Sequence, residues 1–238
     1  MYATPYEWYS KYGIRKYGFH GTSHKFVSDR VIEILGDDES KIVVCHIGNG
    51  ASLCAVKNGK SIDTSMGLTP LEGIPMGTRS GVIDPAVIQY IHQKEGLSVE
   101  QITDILNKKS GYLGISCISN DSRDVENAAI AGDEKANLIL NIQAKRIADY
   151  IGSYYVYMEG IDAICFTAGI GENSSLLRKM ICDRLVVLGV KLDSVVNEST
   201  RGKEMLISTL DSKIKVYIIP TNEEVMIARD VMRLYSNK

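Results

Sequence analysis

Two short apolar runs, at 41–47 and 161–167, each empty into a cluster of small residues, Gly48-Asn49-Gly50 after the first and Gly169-Ile170-Gly171-Glu172-Asn173 after the second. Runs of that length read as strands, and the chain beyond the second loop resumes with helical spacing. Strand, small-residue loop and helix in succession make an α/β chain. The remaining punctuation agrees. After 41–47, a second apolar run at 52–56, the turn Asn58-Gly59 and a third strand at 61–64 complete a meander.

Helices are expected on either side of the meander. Thr4-Pro5-Tyr6-Glu7 reads as N-cap, first helical residue and capping-box glutamate, with Gly13 as the stop. A helix is expected over 23–35, ended by Gly36. Asp84-Pro85, Ser98 with Gln101, and Asp121 mark three further starts, and Asn222 caps the last helix. The longest helix carries Leu140, Ala144, Ile147, Ile151, Tyr154 and Met158, an apolar stripe that suits a core or a subunit seam. The final helix has a shorter stripe, Ile227, Val231 and Leu234, which needs a covering surface. With no repeat or linker, the chain reads as one continuous domain with a helical insertion between Asp84 and Met158. Only 65–81, rich in Gly, Pro, Thr and Met, lacks a period; a loop that long is a candidate for function.

Apolar residues are 45% of the chain and charged residues 24%, which excludes a disordered or fibrous class. With 27 basic and 29 acidic residues the formal charge is −2, so nothing global draws the chain to nucleic acid or anionic lipid. The five cysteines are scattered, with no CxxC and no zinc spacing, and read as free thiols in a reducing compartment. No apolar run reaches the length of a membrane span and the first residues are not a signal core. A cytoplasmic protein without membrane or nucleic-acid partners is expected.

The familiar catalytic motifs are missing. Gly59-Lys60-Ser61 imitates the end of a Walker loop, but Cys54 stands where its first glycine belongs. There is no GxGxxG, HExxH or GxSxG. What remains is a set of local features. The two glycine loops let backbone N–H groups close on an anion; each alone is more simply an ordinary tight turn, and it is the pair on successive strand ends that points to nucleotide. His20, between glycines in Tyr17-Gly18-Phe19-His20-Gly21-Thr22-Ser23-His24, is placed to donate to developing negative charge, whereas His24 reads as packing or capping. Arg79, in Met76-Gly77-Thr78-Arg79-Ser80-Gly81, offers a planar fork suited to phosphoryl oxygens. Arg123 sits between Asp121 and Asp124, where a local ion pair is the simpler reading.

Taken together and in order, the runs YGFHGTSH, HIGNGAS, TPLEGIPMGTRSG, FTAGIGENS and PTNEE closely resemble acetate kinases, over essentially the whole chain. The resemblance implies an actin-like (ribonuclease H-like) kinase domain of the acetate and sugar kinase and actin superfamily, with a helical insertion. It implies reversible transfer of the ATP γ-phosphoryl to acetate, giving acetyl phosphate and ADP with Mg2+, in a cytoplasmic homodimer. By motif, His20 and Arg79 would stabilise the transferring phosphoryl. His46, Ile47, Gly48, Asn49 and Gly50 would line the phosphates, and Asp121, Ser122 and Arg123 would contact nucleotide. Gly169, Ile170, Gly171, Glu172 and Asn173 would lie near the adenosine, and Glu223 would help position Mg2+. Residues 1–222 would form the nucleotide-binding domain and 223–238 a helix that returns to an N-terminal domain this chain lacks. That domain would hold a metal-binding asparagine, a substrate-binding arginine and a catalytic aspartate. A catalytically incomplete nucleotide-binding and dimerising fragment is therefore the alternative, and a propionate or butyrate kinase a weaker one. Val82, where the family has an acidic residue, and Cys117-Ile118, in place of a smaller pair, depart from the pattern.

Overall fold

The computed structural model describes residues 1–236; residues 237–238 of the expected 223–238 segment lie outside the described residues. The elements run α1 (Tyr6–Tyr12), α2 (Gly21–Leu35), β1 (Lys41–Ile47), β2 (Ala51–Lys57) and β3 (Lys60–Thr64). Then come α3 (Ala86–Glu95), α4 (Val99–Lys108), α5 (Gly111–Ser116), α6 (Ser122–Ile130) and α7 (Glu134–Met158). The chain closes with β4 (Ala163–Thr167), α8 (Ala168–Asn173), α9 (Ser175–Cys182), α10 (Ser194–Ser199), β5 (Met205–Leu206), β6 (Lys215–Ile218) and α11 (Glu223–Ser236).

The described residues fall into two compact units, the first made of Met1–Phe19, Asn49–Ala51 and Ser65–Arg146, the second of His20–Gly48, Ser52–Thr64 and the chain from Ile147 on. This differs from the single continuous domain read from the sequence. The physical reason is that the first unit buries apolar residues of its own, among them Met66, Ile74, Met76, Ile102, Tyr112, Val125 and Ile139.

The second unit is built on a six-stranded sheet in the order β3-β2-β1-β4-β6-β5. β1, β4 and β6 are parallel neighbours, in register at Ile42–Ala163 and Ala163–Lys215. β2 and β3 are antiparallel, joined through Asn58 and Gly59, both at positive φ (54° and 68°) as a two-residue hairpin turn requires. Val44, Cys54, Cys165 and Tyr217 share one face and pack with Val27 and Val31 of α2. Val43, Cys45, Leu53, Ile164, Phe166 and Val216 alternate onto the other face and are just as inaccessible. Burial on both faces is why the central strands are continuous apolar runs rather than alternating ones. The short edge strand β3 is the polar one. This is the actin-like, ribonuclease H-like α/β fold that the resemblance implies.

Several local expectations hold to the residue. Ser98 and Gln101 form a reciprocal capping box, Asp121 accepts from the Arg123 N–H, and Asn222 Oδ1 accepts from Val225 N. Others need correction. Pro5, not Thr4, precedes the first turn of α1, and no side chain caps it. Asp84 accepts from Ala86 N, one residue further along than the expected start, because Pro85 precedes the helix proper. The 169–173 segment is not a loop before a helix. It is α8 itself, entered through Ala168 at φ 64°. The α7 stripe from Leu140 to Met158 is wholly buried within the chain, so it is core and not an exposed subunit seam.

Candidate functional site

In open α/β sheets ligands gather at the carboxyl ends of the parallel strands. Here those ends carry the singled-out segments: 48–50 follow β1, α8 follows β4, and Thr221-Asn222-Glu223 follow β6. His46 and Thr167 are register partners at the ends of β1 and β4. Two hydroxyls at the ends of β4 and β6, Thr167 Oγ1 and Thr221 Oγ1, are inaccessible and find no protein partner. Buried polar atoms in that condition commonly meet a bound group or an ordered water.

The centre of the second unit is a histidine trio. His20 precedes α2 in the left-handed conformation (φ 60°), which swings its side chain back onto the sheet. Its ring stacks on His46, centroids 4.1 Å apart and 15° between planes. Its Nδ1 lies 2.9 Å from Ser52 Oγ, and the same hydroxyl lies 2.8 Å from His24 Nε2. His46 Nδ1 lies 2.8 Å from Ser23 Oγ. Burial pulls the His24 and His46 rings down to about 3, each assisted by a neighbouring imidazole, so both are neutral at physiological pH. His20 therefore stacks on a neutral His46, with the neutral His24 ring edge-on at 6.3 Å, rather than beside a competing cation.

α8 packs with Gly171 against the sheet: a Cβ there would sit 3.5 Å from the Cys45 carbonyl oxygen and 3.7 Å from Ile47 Cβ, ordinary contact for one methyl and no more. A Cβ on Gly169 would meet nothing within 4 Å. Arg178 of α9, fully buried, fixes α8 from behind. Its Nη1 donates to the Gly171 carbonyl at 2.9 Å, its Nε to Asn197 Oδ1 at 2.8 Å and its Nη2 to the Asn197 and Thr200 carbonyls. Glu172 Oε1 accepts from Thr221 N at 3.4 Å, a weak tie between α8 and the β6 end. Glu223 opens the first turn of α11 and is exposed.

In the first unit Arg79 is half-buried, with Nη1 donating to the Pro70 carbonyl at 3.1 Å. The loop around it is held by backbone bonds: Met76 N to Arg79 O, Gly77 N to Asn49 O, Ser80 N to Leu106 O and Tyr112 N to Met76 O. Gly111, at φ 60°, allows that approach, since a Cβ would stand 2.0 Å from the Met76 carbonyl oxygen. So the aperiodic 65–81 segment is anchored along its backbone. Asn49 lies against Gly77, whose Cβ would overlap Asn49 Oδ1. Arg123 is mostly exposed and chelates Asp121, Nη2 to Oδ2 at 2.5 Å, which holds that carboxyl down at about 2. The ion pair anticipated as the simpler reading of Arg123 is formed, and Ser122 begins α6 beside it. Val82 is exposed, and Cys117 is exposed at φ 59°.

The sequence reading gave no role to Ser52, which it placed at the end of the first glycine loop and the start of a strand, and it missed Arg178. His24, read as packing, is indeed buried, but it packs through a hydrogen bond to Ser52.

An actin-like sheet with its glycine segments at the parallel strand ends defines a class, and comparison with known proteins narrows it. The Acetokinase family model matches residues 1–229. The acetate kinase of Acholeplasma laidlawii is 63% identical over 234 residues, covering 98% of this chain and 59% of that protein. The crystal structure of Porphyromonas gingivalis acetate kinase superposes with a TM-score of 0.96 at 48% identity, covering 99% of this chain and 59% of that one. A propionate kinase from Francisella tularensis superposes at 0.91, also at 48% identity, covering 96% of this chain and 58% of that one. The chain belongs to the acetokinase family, and it spans about three fifths of the length of the relatives it matches.

Proposed function

We propose that this chain carries the nucleotide-binding part of an acetate kinase, the enzyme that exchanges a phosphoryl group between ATP and acetate to give ADP and acetyl phosphate. The observation that carries the reading is the gathering of three motif segments at the ends of three adjacent parallel strands, with two unpartnered hydroxyls among them. Residues 1–222 are read as the nucleotide-binding domain and 223–238 as the helix that returns toward an N-terminal domain.

In this proposal the backbone of 46–50 lines the phosphates, while 169–173 and 121–123 lie along the nucleoside. His20 and Arg79 meet the transferring phosphoryl. Such a transfer gathers charge on the equatorial oxygens and needs positioning and neutralisation more than a covalent nucleophile. Among the described residues no group of three acidic, histidine or cysteine side chains converges on a cation site. Mg2+ is commonly held by one or two carboxylates together with substrate phosphates and water. Glu223 is the carboxylate that would hold it, and the ion would supply charge neutralisation there. A cytoplasmic homodimer is part of the proposal, supported by the resemblance. No described helix is long and apolar enough to cross a membrane.

Calorimetry of the chain with MgADP tests the reading: saturable binding to one site per chain is expected, and its absence would overturn it. The 1–238 chain alone is expected to turn over poorly, because the family's remaining acid- and metal-binding residues belong to the N-terminal domain. Acetyl phosphate formation by mass-verified chain would refute that part. The propionate kinase likeness makes the acid's chain length a matter for the same assay.

A further inference from the structure

Ser52 joins two imidazoles with one hydroxyl, and a hydroxyl has a single proton. Its Oγ lies 2.9 Å from His20 Nδ1 and 2.8 Å from His24 Nε2. Ser52 is completely inaccessible and His24 is 4% exposed. On the far side of the His24 ring, Nδ1 is also inaccessible and has no hydrogen-bond partner.

These facts constrain where the protons sit. Suppose Ser52 donated to His24. His24 would then carry its proton on Nδ1, a buried N–H with nothing to receive it, which is the costliest way to leave a polar group unpaired. If both rings donated to Ser52, its own proton would be left without either acceptor. The remaining arrangement satisfies every strong donor: His24 Nε2–H donates to Ser52 Oγ, and Ser52 O–H donates to His20 Nδ1. Only a lone pair on His24 Nδ1 stays unmatched, and buried acceptors are left unmatched more readily than buried N–H groups. We propose that His24 and Ser52 are positioning residues that fix the tautomer of His20, holding its ring proton on Nε2.

A neutral imidazole has one donor and one acceptor nitrogen, and the bond made by one nitrogen decides the character of the other. With Nδ1 engaged as an acceptor, Nε2 presents N–H. That is the form able to donate to a phosphoryl oxygen without first taking up a proton, and the function of the relay rests here on the reading of His20 given above. The opposite tautomer would present a lone pair and repel the same oxygen. Burial, which keeps His24 neutral, keeps the relay from being short-circuited by a second proton on that ring.

Long-range 1H–15N correlation spectra of the full chain with 15N-labelled histidine read tautomers directly, with His20→Gln to assign the His20 signals. The expected result at neutral pH is a bare-nitrogen shift for His20 Nδ1 and an N–H shift for His20 Nε2, with the same pattern for His24. In Ser52→Ala the His20 signals should move toward the tautomer average, and Ser52→Thr, which keeps the hydroxyl, should restore them. A proton on His20 Nδ1 in the unsubstituted chain would overturn the proposal, as would an unchanged His20 tautomer in Ser52→Ala. Should the alanine variant fail to fold, the unsubstituted spectrum decides alone. None of these readouts needs nucleotide, so failure of the functional reading, seen by calorimetry, remains distinguishable from failure of the relay.

Discussion

At the scale of single residues, the trio of rings makes the chain acid-sensitive in a defined window. His24 and His46 have pKa values of about 3 in the folded chain against 6.5 unfolded. The unfolded chain therefore binds more protons between those limits. The stability these groups contribute is whole above pH 6.5 and is lost as pH falls toward 3. Two such groups amount to about 2–4 kcal/mol between pH 7 and pH 5. Urea titrations at both pH values should show that drop, with a smaller one in His24→Gln. A pH-independent midpoint over this range would mean the rings titrate normally. The trio itself was only half legible. His20 stands out between glycines, but its bonds to Ser52 and its stacking on His46 depend on strand pairing, which no local pattern encodes. His24 and Ser52 look like ordinary polar positions until α2 is laid against the sheet.

At the scale of elements, apolar runs and punctuation were enough to place β1, β2, β3, β4 and β6, whereas the two-residue β5 (Met205–Leu206) is too short to leave a pattern. β1 was legible to the residue because burial on both faces leaves a continuous apolar run bounded by polar positions. The capping box at Ser98 was legible because its chemistry is local. α8 was not: Ala168-Gly169-Ile170-Gly171 has poor helix propensity, and what holds it is Gly171 against β1 and the Arg178 guanidinium on its carbonyl. The two glycines of α8 therefore differ in kind. Gly171 is spaced for packing, whereas Gly169 is exposed, with room for a side chain. Gly169→Val should leave the unfolding midpoint within about 0.5–1 kcal/mol of the parent, the cost of a β-branched surface residue in a helix being small. If α8 borders the nucleoside, the same change should lower MgADP affinity at least tenfold. Parental affinity in calorimetry would remove α8 from the site.

At the scale of the molecule, two compact units and one open apolar face stand out. Ile227, Val231 and Leu234 of α11 are about half or more exposed, at 57%, 47% and 64%, so nothing among the described residues covers that stripe. α11 is tied to α2 by other means, Lys25 to Asp230 at 2.8 Å and Arg229 over the Phe26 ring. Replacing Ile227 and Val231 by lysine should accordingly shift stability by no more than about 0.5 kcal/mol, as surface changes do. A large fall in the urea midpoint would show those side chains packed. The division into units escaped the sequence because nothing marks their boundaries: one falls inside α7, between Arg146 and Ile147, where the apolar stripe runs on without a break.

The strand-and-helix architecture has also sorted the thiols. Cys45, Cys54, Cys165 and Cys182 are sealed in the core, and burial pushes Cys54 up to about 11 and Cys182 up to about 12, far from the reactive thiolate. Cys117, at the end of α5, alone faces solvent. A maleimide dye added to the native chain should attach at one equivalent and to Cys117 alone, rising to five only in denaturant. More than one equivalent under native conditions would mean that the sheet opens on the labelling timescale. One equivalent would make the chain a ready-made single-colour reporter, with its fluorophore at the insertion and no engineered cysteine required.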